Sequence, residues 1–176
     1  MGQSGVQRLD ERILEQLAAS RTPAETAVAL WISKANNYVN AGVPLGLLAA
    51  GLIRNDVPMK QNALYMASST AVSYLLDYGI KQLVKRPRPF LTDLKLVPVY
   101  RPGEYSFPSG HTSSTFGMTT ALWHAYPKWW VIAPSVLWSA SVGYSRMYLG
   151  VHYPTDVLGG AALGVGSALG LGFMRK

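Results

Sequence analysis

The stretches WWVIAPSVLWSASVGYS, residues 129–145, and VLGGAALGVGSALGLGFM, residues 157–174, contain no Asp, Glu, Lys or Arg. A helix that crosses a bilayer needs about 20 mostly apolar residues, within a range of about 17–25. Both stretches sit at that limit. Outward from them, residues 37–53 and 105–127 also lack these four residue types, and residues 61–80 carry only Asp77. The sequence therefore predicts an all-α fold, an integral-membrane helical bundle of about five spans. Within the last window, Gly160 and Gly164, and likewise Gly166 and Gly170, have the spacing that lets neighbouring helices approach closely. Tyr126, Trp129 and Trp130 stand at a window edge, where interfacial aromatic residues gather. A soluble all-α domain with a buried helical core is the competing reading, and a mean hydropathy of only +0.12 keeps it open. Against it, two whole windows lack the charged face that a soluble amphipathic helix presents.

Composition agrees with a packed, apolar chain. Of 176 residues, 14% are charged, against about 25% in ordinary soluble domains. Disorder is excluded, because a disordered chain combines low hydrophobicity with high charge. The absence of Cys excludes a disulfide scaffold, a zinc-thiolate site and a cysteine nucleophile. A net charge of +7 suits an anionic partner of any kind.

Residues 1–35 show no apolar run followed by a small-residue cleavage site, so they do not read as a signal peptide. Leu9, Ile13, Leu14 and Leu17 recur there at helical spacing among Arg8, Asp10, Glu11, Arg12 and Glu15. This predicts an amphipathic helix lying on the membrane surface or against the bundle. Thr22-Pro23-Ala24-Glu25 has the form of a helix start and opens a second segment through Trp31. The expected division is an N-terminal interfacial segment, 1–35, and a transmembrane domain, 36–176. The longest irregular stretch, about 86–108, carries five prolines; loops of that length are usually functional.

Polar residues collect at span ends in three clusters: Lys81 to Pro89, Pro108 to His111, and Ser145 to Asp156. With alternating spans, all three fall on one membrane face. Lys81, Arg88 and Arg146 would then converge as three cations, which pair well with phosphate oxygens. Pro108-Ser109-Gly110 precedes a helix start near His111 and offers backbone N–H groups, a dipole end and a hydroxyl to an anion. His152 and Asp156 are spaced i, i+4, so the carboxylate can fix the imidazole tautomer and leave the other nitrogen free to attack. His111 can protonate the leaving oxygen. The reaction expected is two-step hydrolysis through a phosphohistidine. A cationic pocket disfavours a divalent metal, so neither metal nor cofactor is expected.

Each part has a plainer reading. Span-end cations often snorkel to the interface, and a lone helix-start histidine is more often structural. Asp77, one turn before Lys81, reads as a carboxylate neutralised by pairing; Lys85 and Arg86 as headgroup attractors or solvated charges. Tyr105 and Phe107 read as packing, and His124 as a helix–helix hydrogen bond.

The three clusters resemble the signature of the type 2 phosphatidic acid phosphatase superfamily: KxxxxxxRP, PSGH and SRxxxxxHxxxD. Every position is filled, by Lys81, Arg88 and Pro89; Pro108, Ser109, Gly110 and His111; and Ser145, Arg146, His152 and Asp156. The resemblance covers about residues 77–160 in detail. It implies a helical bundle and metal-independent phosphate hydrolysis. It implies His152 as nucleophile, Asp156 as its partner, His111 as general acid, and phosphate ligation by Lys81, Arg88, Ser109, Gly110 and Arg146. It also implies a site facing the periplasm or exterior, and the compact size points to a bacterial inner membrane. Integral-membrane members usually have six spans, whereas five windows are present here. The expected substrate is a lipid phosphate or diphosphate: phosphatidic acid, phosphatidylglycerol phosphate, a prenyl diphosphate or the phosphate of lipid A. Membrane lipids, and no nucleic acid, are the expected partners; the oligomeric state is not legible. The alternatives are lipid phosphotransfer, a soluble acid phosphatase or vanadate-dependent haloperoxidase of the same superfamily, and a non-catalytic phospholipid-binding or transport protein.

Overall fold

A computed structural model describes residues 5–92, 96–103 and 105–176, and these are all-helical apart from one isolated bridge between Pro87 and Tyr105. The elements are α1 (Gly5–Ala19), α2 (Pro23–Ile53), α3 (Val57–Val84), the short α4 (Pro89–Thr92), α5 (Gly110–Ala125), α6 (Trp129–Tyr148), α7 (Pro154–Gly170) and a final 3-10 turn (Gly172–Met174).

Local chemistry sets the ends. Thr22 caps α2, its Oγ1 accepting the Glu25 N–H, with Pro23 in the first turn where no donor is needed. The helix then runs unbroken past residues 35 and 36, so the segment opened at Pro23 and the first charge-free window form one element. Asp56 caps α3 by accepting the Met59 N–H at 2.9 Å. α3 stops at Lys85, which takes a left-handed conformation (φ 50°). Pro154 opens α7, where the Asp156 carboxylate accepts the Tyr153 N–H at 2.8 Å.

The bundle is organised around α5, which touches α2, α3, α6 and α7. Its surroundings explain its composition. Thr112, Ser113 and Thr115 are fully buried, and hydroxyls bridge helices: Thr119 pairs with Ser139 at 2.7 Å, and Asn40 donates to Ser114 at 3.0 Å. Hydroxyls that bond a helix carbonyl or a facing hydroxyl can be buried at little cost. Close approach depends on glycine. A Cβ at Gly160 would come within 2.6 Å of the Ser109 carbonyl oxygen, and one at Gly164 would run into the Ser113 carbonyl. The Gly160–Gly164 pair thus forms the α5–α7 crossing. The Gly166–Gly170 pair does not have the packing role its spacing predicts: a Cβ at either position would meet nothing within 4 Å.

Among the described residues, no helix is long and apolar enough to cross a membrane. The expected five spans therefore do not follow from helix hydropathy. The cause lies in how the polar residues are used: the Asn, Ser and Thr residues that lower the average face other helices, while Trp31, Ile53, Leu75, Leu83, Leu137 and Leu158 are turned outward and exposed.

α1 lies against the bundle. Leu14 is buried with Leu96 and Tyr153, and α1 touches both α6 and α7. His124 departs from expectation: its Nδ1 is buried without a hydrogen-bond partner, so that nitrogen makes no bond to another helix.

Candidate active site

The connections at one end of the bundle bring the three sequence clusters together. Lys81 lies in the last turn of α3 and Arg88 in the connection that follows; Gly110 and His111 open α5; Arg146 lies near the end of α6; His152 lies between α6 and α7. All six line one cavity of about 370 Å3, with Asn37, Tyr74, Asp77 and Tyr100 among its other walls.

The two arginines are held by neutral acceptors, and the lysine by a carboxylate. Arg88 donates from Nη1 to the Val151 carbonyl at 2.6 Å and from Nε to the Gly103 carbonyl. Burial, with the nearby Arg146 charge, holds its guanidinium down to about 10. Arg146 is 2% exposed, donates to Ser33 Oγ, and lies over the Tyr100 ring at 5.6 Å. Its Nε is buried with no hydrogen-bond partner. Lys81 Nζ meets Asp77 at 2.8 and 2.9 Å and donates to the Pro108 carbonyl. Three cations thus share one carboxylate among the cavity walls, and the surplus positive charge suits an oxyanion.

Gly150, at φ 73°, makes the turn that delivers His152 to the cavity; a side chain there would also strike Arg21. His152 is 2% exposed, and its Nε2 lies 3.1 Å from Arg88 Nη1. A guanidinium only donates, so Nε2 carries the lone pair and Nδ1 the proton. Nδ1 faces Asp156 Oδ2 at 3.6 Å, longer than a hydrogen bond. Burial, reinforced by Arg88, Arg146, Lys81 and His111, pushes the His152 ring well below the usual histidine range, so it is neutral at pH 7. A neutral imidazole with a lone pair facing a cationic cavity is equipped for nucleophilic attack on phosphorus.

Two predicted residues lie behind the cavity wall. Asp156, fully buried, backs His152 and binds Arg86 Nη1 at 2.6 Å. Ser109, also fully buried, is not among the lining residues; its N–H donates to the Asp156 carbonyl at 3.0 Å and its Oγ accepts from Thr112 at 2.9 Å. It anchors the start of α5 to α7. Gly110 lines the cavity beside the Asp77–Lys81 pair, and a Cβ there would come within 2.9 Å of Asp77 Oδ2. Asp77 pairs with Lys81 as expected, and Phe107 packs against Gly159.

Sequence reasoning missed Arg86 and Asp10. Arg86 is neither a headgroup attractor nor a solvated charge: it joins Asp156 to Asp10 of α1, at 2.6 and 2.8 Å, and lies 4.0 Å from the Tyr153 ring centroid. A signal existed for Asp10, which falls four and seven residues before Leu14 and Leu17, a carboxylate inside the apolar stripe of α1. Asn37 and Tyr100, both cavity walls, carried no comparable signal.

Comparison with known proteins finds relatives of both sequence and fold. Over 101 residues the chain is 37% identical to lipid A 4'-phosphatase of Bacteroides thetaiotaomicron, covering 54% of this chain and 45% of that protein. Over 138 residues it is 30% identical to undecaprenyl-diphosphatase BcrC of Bacillus subtilis, covering 78% and 69% respectively. The chain therefore spans less than half of the first relative's length. The crystal structure of a transmembrane PAP2-type phosphatidylglycerolphosphate phosphatase from Bacillus subtilis superimposes with a TM-score of 0.81 over 96% of this chain and 85% of that one, at 24% identity. That likeness is one of fold. The sequence pattern of the PAP2 superfamily matches residues 62–174, a span that includes every residue of the cavity except Asn37. By that match, the chain belongs to the PAP2 superfamily.

Proposed function

We propose that this chain is a membrane lipid phosphatase that hydrolyses a phosphate monoester or diphosphate end of a lipid through a phosphohistidine. The observation that carries the reading is the single cavity shared by Lys81, Arg88, Arg146, His111 and His152. His152 Nε2 attacks phosphorus, the P–O bond to the leaving group breaks, and His111, which takes up a proton as the anionic phosphate offsets the surrounding cations, gives that oxygen its proton. Water then attacks the phosphohistidine, His111 takes its proton, and the P–N bond breaks to release inorganic phosphate; from a diphosphate, the lipid monophosphate has already left in the first step. The cations hold the non-bridging oxygens and stabilise their charge in the transition state. The Gly110 backbone N–H, at the start of α5, adds a donor.

A lipid substrate is favoured by what adjoins the cavity. Asn37, Tyr74 and Ser114 line it and also line a largely apolar groove of about 440 Å3 between α2 and α3, walled by Pro44, Leu45, Leu48 and Leu64. A phosphate in the cavity could keep its chain in that groove. The outward-facing apolar side chains support a bundle set in lipid, with the cavity at one interface. Lipid A phosphate and undecaprenyl diphosphate, named by the relatives, head the substrates to test.

The test is release of phosphate by purified protein from a panel of phosphatidic acid, phosphatidylglycerol phosphate, undecaprenyl diphosphate and lipid A. Turnover of at least one, lost in His152→Ala, is expected. No turnover of any, or full activity in His152→Ala, would overturn the reading.

A further inference from the structure

Asp10 is 2% exposed although it belongs to a surface helix. Its Oδ1 accepts the Thr155 N–H at 3.1 Å, and its Oδ2 accepts from Thr155 Oγ1 and, at 2.8 Å, from Arg86 Nη2. The second nitrogen of the same guanidinium binds Thr155 Oγ1 at 2.7 Å and Asp156 Oδ1 at 2.6 Å. Gln7 Oε1 accepts from Nη2 at 2.8 Å. Asp156 in turn backs the His152 ring. Its two carboxylate oxygens are divided, one facing Arg86 and the other facing Tyr153 N–H and His152 Nδ1.

From this geometry we infer that Asp10 of the N-terminal helix is a positioning residue: through Arg86 and Thr155 it fixes Asp156 and sets how strongly that carboxylate supports His152. The inference rests on the reading of His152 as nucleophile. Asp10 and Asp156 share one guanidinium. With Asp10 ionised, Arg86 is divided between two carboxylates, and Asp156 keeps enough negative charge to favour the Nδ1–H tautomer. With Asp10 neutralised, Arg86 belongs to Asp156 alone and the ring loses support. The fork geometry of arginine makes this sharing possible; a lysine has no second nitrogen. α1 thereby contributes to the site although none of its residues lines the cavity.

A simple anchoring role for Asp10 would predict loss of stability without a directed electrical effect on His152. The groups facing that ring are Lys81 from α3, Arg88 from the following connection, His111 from α5, Arg146 from α6 and Asp156 from α7. Arg86 and Asp10 act on it from behind Asp156. Removing the Asp10 charge lowers the ring's affinity for a proton, and removing the Arg86 charge raises it.

The experiment titrates the His152 ring nitrogen signals in full-length, 15N-histidine-labelled protein in detergent, beside phosphatidic acid kinetics. It uses wild type, Asp10→Asn, Arg86→Gln and, as a control on the exposed side of α1, Glu15→Gln. The midpoint is expected to move down in Asp10→Asn, up in Arg86→Gln, and not at all in Glu15→Gln. For Asp10→Asn, kcat is expected to fall about tenfold, the low end for losing a partner that orients a working histidine, with KM within about twofold. Shifts of the same sign in both variants, or no shift in either, would overturn the inference. Should Asp10→Asn not fold, the upward shift in Arg86→Gln decides alone, and its absence refutes the proposal. Opposite ring shifts in a protein inert towards every lipid phosphate would refute the phosphatase reading while leaving the coupling intact.

Discussion

His152 is neutral because burial and four cationic or protonatable neighbours all oppose its charge, while Asp156, the one carboxylate facing it, is 3.6 Å away and divided with Arg86. The stability consequence has a definite sign. The unfolded chain binds a proton at this ring below about pH 6.5, and the folded protein does not until the pH is well below that. Stability contributed by keeping the ring neutral is therefore complete above the ordinary histidine value and falls as pH drops through it. Thermal melts should be flat through neutral pH and decline below it, and the decline should be shallower in His152→Gln. A melting temperature that rises on acidification would contradict this. His111, half-buried at the cavity wall, is assigned to proton transfer. His111→Ala should lose turnover by about 10²–10⁴-fold while inorganic phosphate still binds within a few-fold of wild type; equal losses of both would contradict the assignment.

At the scale of elements, α5 and α7 touch backbone to backbone because two glycines permit it. Gly164→Val would drive a side chain into the Ser113 carbonyl, with Gly117 backbone close on the other side, and neither can rotate away. Overpacking of this kind costs about 1–3 kcal/mol or more. Gly166→Val meets open space and should be neutral or slightly stabilising, since valine is the better helix former by about 0.5 kcal/mol. Denaturation of the two variants side by side tests the crossing; equal stability would refute it. Helix existence and the three motif clusters were legible in sequence because turn chemistry and charge-free windows are local signals. Which glycine pair packs was not, because both pairs have the same spacing and only the tertiary neighbour separates them. Ser109, a ligand by its motif, is fully buried, with its N–H on the Asp156 carbonyl and its Oγ accepting from Thr112, contacts that motif spacing alone does not reveal. The bond between α1 and the site joins residues about 145 positions apart, Asp10 and Thr155, beyond the reach of any periodicity.

For the whole molecule, an interior rich in Asn, Ser and Thr and an exterior carrying exposed Trp31, Ile53, Leu83 and Phe173 invert the pattern of a soluble bundle. Those buried polar residues lower the hydropathy of α2, α3, α5 and α6 while leaving an apolar outer face, so window averages understate how the surface behaves. The protein should partition into the detergent phase and remain with membranes after a high-salt wash; release by salt alone would contradict a lipid-embedded bundle. The cavity draws its positive charge from Lys81, Arg88 and Arg146, and in the proposed mechanism these three cations hold the phosphoryl group without a metal. Hydrolysis should persist in excess EDTA, and strict dependence on a divalent metal would contradict the proposed mechanism.

All of these expectations meet at one atom, Nε2 of His152, and its covalent state during turnover can be read directly. Rapid quenching of wild-type protein with a lipid substrate carrying a radiolabelled terminal phosphate should yield an acid-labile, base-stable label on the peptide containing His152. That label should be absent from His152→Ala. Steady turnover with no labelled histidine at any quench time, or a label that persists in His152→Ala, would contradict the account.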